Sequence, residues 1–308
     1  MRVAVADLGT NSTRLLVADV GPGGAITELD RRSIVTRLGQ GVDTTGALAD
    51  DAMRRVFDVL AGYREAIDGH GAERDVAVLT SAVRDAVNGA GFTRAVREDF
   101  GLDARTIAGD EEARLTFRGA TSERDGDGRP VVVIDIGGGS TEFVTGRAGV
   151  VLFHTSTQAG VVRQSERHLH GDPPTEAELV ELREEVRGIF RDAVAEADRA
   201  LPEAAVAVAG TATSLASIDQ KLDPYDASRV HGYRLSRVRC VELLGELAAL
   251  TEDERRAVVG LSPARAPTIV AGTAFLVEAL GVFGLDSTEV SDHDILRGAA
   301  LELVHREA

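Results

Sequence analysis

Two short stretches of this sequence place acidic side chains beside glycines and hydroxyl groups, a combination suited to binding phosphate and a metal ion. Residues 131–143 read VVVIDIGGGSTEF, and residues 3–15 read VAVADLGTNSTRL. Aligned at a constant offset, both stretches carry Val, Val, Asp, Gly, Ser and Thr at the same places. We therefore interpret them as one device that the chain uses twice.

The glycines of the second stretch can bring the backbone close to an anion. Gly137, Gly138 and Gly139 have no Cβ atom to exclude a ligand, and glycine tolerates positive φ. Successive exposed N–H groups form a concavity that binds anions, and the hydroxyl groups of Ser140 and Thr141 add donors. Phosphate is therefore the expected ligand of this loop.

A third turn of similar composition follows a later apolar segment. Residues 209–214 read AGTATS, so Gly210 and Thr211 stand where a predicted strand ends and a helix begins. Backbone N–H groups at such a helix start can bind the same anion. On its own this turn is better explained as an ordinary connection, whereas three such turns in one chain favour a binding role.

Asp135 and Glu142 flank the glycine loop, where two carboxylates would repel a bound phosphate. A cation between the acids and the phosphate removes this conflict, and Mg²⁺ takes oxygen ligands from both. We therefore predict Mg²⁺, or Mn²⁺ in its place, as the cofactor at these two acids. The first stretch has Arg14 where the second has Glu142, which predicts one metal-binding copy and one copy that favours anions.

Two further segments supply side chains for chemistry. Residues 110–112 are consecutive acids at a predicted helix start, a position that the helix dipole favours even without a catalytic role. Arg84 follows a predicted strand, so its planar guanidinium can hold a phosphoryl oxygen and offset charge in the transition state. In isolation, a surface ion pair with Asp85 is the simpler explanation of Arg84.

Hydrophobic spacing predicts an α/β chain built from two similar halves. The first half reads as three short strands followed by helix, strand, helix, strand and helix. The second half repeats this order with extra helices, among them a long one over about residues 173–200. A charged connector at residues 122–130 lacks any apolar period. We therefore predict two domains, residues 1–124 and 125–308.

Composition excludes several classes of function. The chain has 308 residues, of which 44% are hydrophobic, enough for a core in each of two domains. The net charge of -16 argues against a nucleic-acid or anionic-membrane surface. No apolar run approaches the roughly 18 residues of a membrane span, and a single cysteine, Cys240, excludes disulfides and cysteine metal sites. We expect a soluble, cytoplasmic protein.

The order of elements resembles that of actin, sugar kinases and the 70-kDa heat-shock chaperones. Those proteins share a duplicated actin-like, ribonuclease H-like (ASKHA) fold with two domains and an active-site cleft between them. The motifs resemble a narrower group, the exopolyphosphatase and guanosine pentaphosphate phosphohydrolase (Ppx/GppA) family. The motifs that carry this resemblance are DLGTNSTRLLVADV, TSAVRDAVNG, IAGDEEARLTFRGA, VVVIDIGGGSTEF, VAVAGTATSLAS and VSDHDILRGAALEL, and the match runs from residue 3 to about residue 303.

This resemblance implies hydrolysis of the terminal phosphoanhydride of polyphosphate, or of the 5′-γ-phosphate of guanosine pentaphosphate (pppGpp). It implies that Glu112 is the catalytic glutamate, which places or deprotonates the attacking water, and that Arg84, the second catalytic residue, contacts phosphate. Asp135 and Glu142 match metal-associated acids, with Asp7 as a weaker match. The turns and the resemblance together predict these phosphate-binding residues: Asn11, Ser12, Thr13, Gly137, Gly138, Gly139, Ser140, Thr141, Gly210 and Thr211.

Some features leave alternatives open. His293 stands where the family commonly has an arginine, and the length of the chain leads us to expect the short, two-domain type, whose members are often homodimers. A kinase or ATPase of the actin-like group and a non-enzymatic sensor of guanosine tetra- or pentaphosphate are the competing hypotheses. Glu112 beside an intact loop favours an enzyme, and no nucleic-acid or membrane partner is expected.

Overall fold

The structure is a computed structural model that describes residues 1–124 and 128–305. The connector predicted at residues 122–130 is covered in part, because residues 125–127 lie outside the described residues. The architecture is α/β, as the sequence predicts.

The chain divides into two compact units, each with one β-sheet. The first unit is Met1–Ser122 with Asp294–Ala308, and the second is Glu123–His293. The strands in chain order are β1 Arg2–Leu8, β2 Ser12–Val20, β3 Ile26–Val35, β4 Arg74–Leu79, β5 Ala104–Thr106, β6 Val131–Ile136, β7 Thr141–Arg147, β8 Val150–Thr157, β9 Ala204–Val208, β10 Arg234–Ser236 and β11 Ser287–Val290. The helices are α1 Val42–Thr45, α2 Asp50–His70, α3 Ser81–Asp85, α4 Gly89–Phe100, α5 Gly109–Ala120, α6 Val161–His168, α7 Glu176–Ala193, α8 Glu196–Arg199, α9 Ala209–Asp219, α10 Ala227–Val230, α11 Arg237–Ala248, α12 Glu252–Arg256, α13 Ile269–Val282 and α14 Ile295–His305.

The two sheets are built to the same plan. The strand order is β3-β2-β1-β4-β5 in the first unit and β10-β11-β9-β6-β7-β8 in the second. In each sheet an antiparallel meander of three strands pairs through its first strand, in parallel, with a later strand. Without the edge strand β10, the two orders are equivalent. The meander register even shifts at matching places, between Val17 and Ala18 and between Thr145 and Gly146. The predicted duplicated, actin-like fold is confirmed.

The central strand β1 is buried from Val3 to Leu8 and is apolar there except at Asp7, because helices cover both faces of its sheet. Ala4, Ala6 and Leu8 pack in one cluster with residues of α2 and α4. Val3 and Val5 point to the other face and pack with residues of α5 and α14. Continuous burial of this kind is typical of strands that pair in parallel at the centre of an α/β sheet.

Helix α13 is buried on all sides within the second unit. An all-round apolar helix of this kind belongs to the interior of a large core. Its one acid, Glu278, accepts hydrogen bonds from Nε of Arg183 and Nε of Arg187, each at 2.7 Å.

Across residues 1–124 and 128–305, no helix combines the length and the hydropathy needed to cross a membrane.

Two details differ from the predicted order of elements. The helix expected over about residues 173–200 is interrupted, since α7 ends at Ala193 and α8 begins at Glu196. Helix α7 begins from a capping box, in which Thr175 and Glu178 each accept a hydrogen bond from the other's backbone amide. The sequence does not predict β10 and β11, because strands of three or four residues show too little alternation.

The last helix, α14, belongs to the first unit rather than to the second. It packs along α5, where a Cβ atom on Gly119 would lie within 3.0 Å of the Asp294 carbonyl oxygen. A Cβ atom on Gly298 would meet the Leu115 carbonyl oxygen in the same way. This glycine pair lets the two helix backbones touch. The second unit therefore differs from the predicted domain 125–308, since sequence order does not show where a terminal helix packs.

Candidate functional site

The two glycine loops adopt the same turn, each within its own unit. Between β1 and β2 the Gly9 amide donates to the Ser12 carbonyl oxygen at 3.0 Å. Between β6 and β7 the Gly137 amide donates to the Ser140 carbonyl oxygen, also at 3.0 Å. The repeat in sequence is therefore a repeat in backbone geometry.

The second loop rests on the N-terminus of α6. The amides of Val161 and Val162 donate to the carbonyl oxygens of Gly137, at 3.0 Å, and Gly138, at 2.9 Å. Gly160 precedes this helix, and a Cβ atom there would lie well within 3.0 Å of the loop backbone. Only glycine at position 160 therefore lets the loop pack against the start of α6, whose amides donate hydrogen bonds to the carbonyl oxygens of the loop.

The same loop presents amide groups as donors. Among residues 1–124 and 128–305, no protein group accepts a hydrogen bond from the amides of Gly138, Gly139 or Ser140. Buried or partly buried amides normally find an acceptor, and successive amides without one form an anion-binding concavity. The phosphate role of this loop stays a prediction, and it depends on backbone more than on side chains.

The threonine hydroxyls of both loops bond within the protein. Thr13 shares a hydrogen bond of 3.0 Å with Thr36, and Thr141 donates to the Ala159 carbonyl oxygen at 2.7 Å. Both loop threonines are fully buried, so these hydroxyls stabilise the turns. The other polar residues predicted to bind phosphate here lie at the turns themselves: Asn11, Ser12 and Ser140.

Asp135 and Glu142 lie directly opposite each other on β6 and β7. Cross-strand neighbours have Cβ atoms about 4.5–5.5 Å apart, so the two carboxylates share one small region. Asp135 is 9% exposed and Glu142 2%, and the Ser156 hydroxyl donates to Oε1 of Glu142 at 2.7 Å. Like charges at this spacing disfavour each other, and a cation bound by both relieves the repulsion. The two predicted metal ligands are thus neighbours.

The matching position of the first unit has a different charge balance. Asp7 lies opposite Arg14, and Oδ2 of Asp7 accepts hydrogen bonds from Nε at 2.8 Å and Nη2 at 2.6 Å. Arg14 also pairs with Asp294, the residue before α14. Oδ1 of Asp7 is buried and has no hydrogen-bond partner among the described residues. Arg14, expected to favour external anions, therefore holds two carboxylates of its own unit.

Burial and charge act in opposite directions on these two acids. Burial raises the pKa of Asp7 above its ordinary value, and the Arg14 guanidinium offsets this only in part. At Asp294 burial also favours the neutral form, but Arg14, Arg31 and the Leu296 amide together lower the pKa below its ordinary value. With one guanidinium between two buried carboxylates, we expect Asp294 to carry the negative charge preferentially.

Glu112 and Arg84, predicted as the catalytic residues, are in direct contact. Glu112 lies in the first turn of α5, and Arg84 lies in α3, the short helix after β4. Nη1 of Arg84 donates to Oε2 of Glu112 at 3.0 Å and to the Ile107 carbonyl oxygen at 3.2 Å. The competing surface pair with Asp85 is longer, at 3.8 Å. The structure therefore places a guanidinium beside a buried carboxylate just after strand β4.

The three acids at the start of α5 have different surroundings. Asp110 is exposed, Glu111 pairs with Arg105, and Glu112 is only 8% exposed. The helix dipole favours acids in a first turn, which explains Asp110 and Glu111 without a catalytic role. Burial therefore separates Glu112 from its neighbours, which position in the sequence does not.

Arg265 is a candidate site residue that sequence reasoning missed. Its guanidinium lies against Gly210 at the start of α9, where any Cβ atom would overlap it. Thr211, the other residue predicted at this turn, is nearly buried and packs beside Gly272. A guanidinium at a helix start adds positive charge where N–H groups already favour anions. The only signal in the sequence is an arginine between two prolines ahead of an apolar helix.

Asp294 is a second residue that sequence reasoning missed. Its Oδ1 accepts a hydrogen bond from the Leu296 amide at 3.1 Å, which caps α14, while Oδ2 pairs with Arg14. An aspartate just before an apolar helix is a readable cap signal. Its partnership with Arg14 joins residues far apart in the chain and leaves no local signal.

Comparison with known proteins points to one family. The model of the Ppx/GppA phosphatase family matches residues 16–307. The chain is 41% identical to exopolyphosphatase 2 of Mycobacterium tuberculosis, over 98% of each chain. The crystal structure of the Aquifex aeolicus family member is similar, with a TM-score of 0.84 and 30% identity over 100% of this chain and 98% of that one. An exopolyphosphatase from Cytophaga hutchinsonii has a TM-score of 0.89 and 27% identity, covering 99% and 98%.

Proposed function

Because this chain belongs to the Ppx/GppA phosphatase family, we propose that it hydrolyses the terminal phosphoanhydride of inorganic polyphosphate and releases phosphate. It is a hydrolase that acts on phosphoanhydride bonds. The contact between Arg84 and Glu112 is the observation that carries the proposal, because it joins a phosphate-binding cation to a buried base. The chain is 41% identical to an exopolyphosphatase over 98% of its length, which supports polyphosphate as the substrate.

Arg84 and Glu112 have complementary roles in this reaction. Phosphoryl transfer passes through a loose transition state, so catalysis depends on positioning and on neutralising charge. A guanidinium binds phosphate with the same planar fork that it offers to a carboxylate, so substrate competes with Glu112 for Arg84. Glu112 then orients a water molecule and accepts its proton. The water oxygen bonds to the terminal phosphorus, the bridging P–O bond breaks, and the shortened chain leaves with the electron pair.

Backbone amides are the main phosphate contacts in this proposal. The amides of Gly138, Gly139 and Ser140 have no acceptor among the described residues, which supports their assignment to phosphate oxygens. The start of α9 adds the N–H groups near Gly210 and the guanidinium of Arg265. We also assign Asn11 and Ser12 of the first loop and Thr211 of the third turn to phosphate, whereas the hydroxyls of Thr13 and Thr141 and the amide of Gly137 bond within the turns.

Asp135 and Glu142 fit a divalent cation, and we assign Mg²⁺ or Mn²⁺ to them. Two carboxylates that also face phosphate oxygens are the usual protein contribution to a magnesium site, and these two are cross-strand neighbours. Asp7 fits less well, because Arg14 already bonds to its Oδ2 and only the buried Oδ1 remains. When bound, the ion neutralises charge on the phosphate oxygens.

Phosphate release from polyphosphate of defined length, measured with and without Mg²⁺, tests this proposal. Glu112→Gln keeps an oxygen for Arg84 but cannot accept a proton, so kcat should fall by about 10²- to 10⁴-fold. Glu111→Gln, in the same helical turn, is the matched control and should keep the kcat of the wild type. A full rate for Glu112→Gln would contradict the assigned base. No release from any polyphosphate by the wild type would contradict the assigned substrate.

The same assay with pppGpp decides between the two substrates that the family resemblance implies. The measured quantity is kcat/KM for each, and a higher value for pppGpp would move the proposal to 5′-phosphohydrolysis. Transfer of phosphate from ATP to an acceptor would support a kinase instead. Binding of guanosine polyphosphates without phosphate release would support a sensor.

A further inference from the structure

Three side chains that take no part in the proposed hydrolysis converge within the second unit. Oε2 of Glu123 is 3.9 Å from Nε2 of His231 and 3.7 Å from Nδ1 of His293. One ligand atom from each of the three residues lies within 4.8 Å of the others. In the part of the chain that the structure describes, this is the only group of three His, Cys, Asp or Glu residues so arranged.

The two imidazole rings pack against each other, and neighbouring hydrogen bonds fix the positions of both histidines. Their centroids are 4.1 Å apart, with an interplanar angle of 34°. Ser291 fixes the backbone of His293, because its Oγ accepts from the His293 amide and donates to the His293 carbonyl oxygen, each at 3.0 Å. The Asp292 amide donates to Nδ1 of His231 at 3.4 Å, and the Ser291 Oγ lies 3.5 Å from the same nitrogen. This orientation directs Nε2 of His231 towards Glu123.

The distances from Glu123 to the two imidazole nitrogens are close to those between ligand atoms of a tetrahedral metal site. Zinc bonds to imidazole nitrogen and carboxylate oxygen are about 2.0–2.2 Å long, so neighbouring ligand atoms lie about 3.3–3.5 Å apart. The measured separations of 3.7 Å and 3.9 Å exceed this by a few tenths of an ångström. The Glu123 side chain is 52% exposed, so its rotation can close the difference.

We propose that Glu123, His231 and His293 bind one Zn²⁺ ion, with water in the fourth position. Two imidazole nitrogens and one carboxylate oxygen form a ligand set that zinc uses in sites with three protein ligands. Imidazole suits Zn²⁺, whereas Mg²⁺ prefers an all-oxygen set. The chemistry therefore separates this site from the magnesium assigned to Asp135 and Glu142.

The hydrogen bonds around His231 would change when a metal binds. When Nε2 of His231 binds an ion, its Nδ1 carries the proton, so the long bond from the Asp292 amide must give way and the Ser291 Oγ, 3.5 Å away, becomes the acceptor. Ser291 therefore supports both histidines, one through its ring and one through its backbone.

The position of the site gives the ion a structural consequence. Glu123 is the first residue of the second unit and His293 is the last. A bound ion would join the two ends of that unit through His231, and it would stabilise the folded state by mass action. Zinc should therefore raise the thermal unfolding temperature of the wild-type chain.

A zinc titration of the full chain tests the proposal. Wild type and variants are titrated against a chromophoric zinc chelator with Mg²⁺ in excess, so that the carboxylates of the proposed magnesium site are occupied. We expect one tight site per chain. Ser291→Ala should weaken zinc binding by about 10- to 100-fold, as loss of a hydrogen-bond partner of a ligand does, and His231→Ala or His293→Ala should weaken it further.

The chain offers a matched control and a spectroscopic check. His168 also faces a carboxylate, with Nε2 at 2.7 Å from Oε2 of Glu185, so His168→Ala removes a histidine–carboxylate pair elsewhere and should leave zinc affinity unchanged. Co²⁺ in place of Zn²⁺ should give the visible absorption of a tetrahedral site in the wild type, and His231→Ala should abolish it. If the alanine variants unfold, the glutamine variants of both histidines replace them.

Two results would overturn the proposal. If the His231→Ala/His293→Ala double variant binds zinc as tightly as the wild type, the ion binds elsewhere. If the wild type binds no zinc, or binds it without a gain in thermal stability, the three side chains form only a group of neighbouring polar residues that holds no metal.

Discussion

Replacing Gly160 by alanine should impair activity far more than folding, because this glycine lies beneath the glycine loop of the second unit, to which we assign phosphate binding. A Cβ atom at this position would come well within 3.0 Å of backbone atoms of Gly138 and Gly139, whereas ordinary contact begins at 3.4 Å. Since the neighbours are backbone atoms, no side-chain rotation removes the overlap. The loop and the start of α6 must separate, by on the order of 1 Å for the groups concerned.

The size of the effect follows from this displacement. Moving positioning groups by about 1 Å costs on the order of 10²-fold in rate. Overpacking a tight contact costs roughly 1–3 kcal/mol of stability, less than the about 5–15 kcal/mol that a folded domain typically has. We therefore expect kcat/KM for polyphosphate to fall about 100-fold in a variant that still folds.

Steady-state phosphate release and thermal unfolding of Gly160→Ala measure the two quantities. The matched control is Gly188→Ala in α7 of the same unit, where a Cβ atom meets nothing within 4 Å. Alanine at an exposed helix position should stabilise the chain by up to about 1 kcal/mol and leave kcat/KM unchanged. A folded Gly160→Ala variant with the kcat/KM of the wild type would refute the reasoning, because a displaced loop would then have no effect on catalysis.

Three further outcomes are expected. Arg265→Ala removes a guanidinium from the start of α9, and since hydrogen bonds to charged groups contribute about 1.5–3 kcal/mol, kcat/KM for polyphosphate should fall about 10- to 100-fold; unchanged kinetics would exclude Arg265 from the site. Arg14→Leu leaves Asp7 and Asp294 without their shared cation, which should reduce the free energy of unfolding in urea by about 3–5 kcal/mol at neutral pH. Arg14 lowers the pKa of both acids against the effect of burial, so its contribution requires charged carboxylates and the loss should shrink as pH falls and the acids become protonated; a loss independent of pH would contradict the assignment. Burial raises the pKa of the Cys240 thiol to about 12, so a thiol reagent at about pH 8 should react only after unfolding, and immediate reaction of the native chain would show that the thiol is accessible.

Much of the fold can be predicted from the sequence because the signals for its elements are local. The alternation in the first segment predicts the meander, and the repeat of residues 3–15 at 131–143 predicts that the second unit begins in the same way. What could not be predicted depends on contacts between distant segments. The packing of α14 on the first unit depends on Gly119 and Gly298, which are separated by the entire second unit.

The same contrast between local signals and long-range contacts applies to the candidate site. The glycine loops and their acids were found because each motif is continuous in the sequence. The hydroxyls of Thr13 and Thr141 show the limit of that reading, since composition offers them as donors and the structure uses them inside the turns. Arg265 and Asp294 were missed because only a contact with a distant residue identifies each of them. Arg265 contacts Gly210, and Asp294 pairs with Arg14.

The difference between the two copies of the device is the strongest argument for a cation. At equivalent positions of the two ladders, Asp7 faces Arg14 and Asp135 faces Glu142. The first arrangement shows that this backbone accommodates an opposite charge across from the aspartate, and such a pair stabilises neighbouring strands. The second places an acid where the same backbone would accept a base, and directly opposite like charges destabilise a sheet. Pairing between these two strands therefore does not by itself favour Glu142, which is consistent with the divalent ion that we propose at this acid.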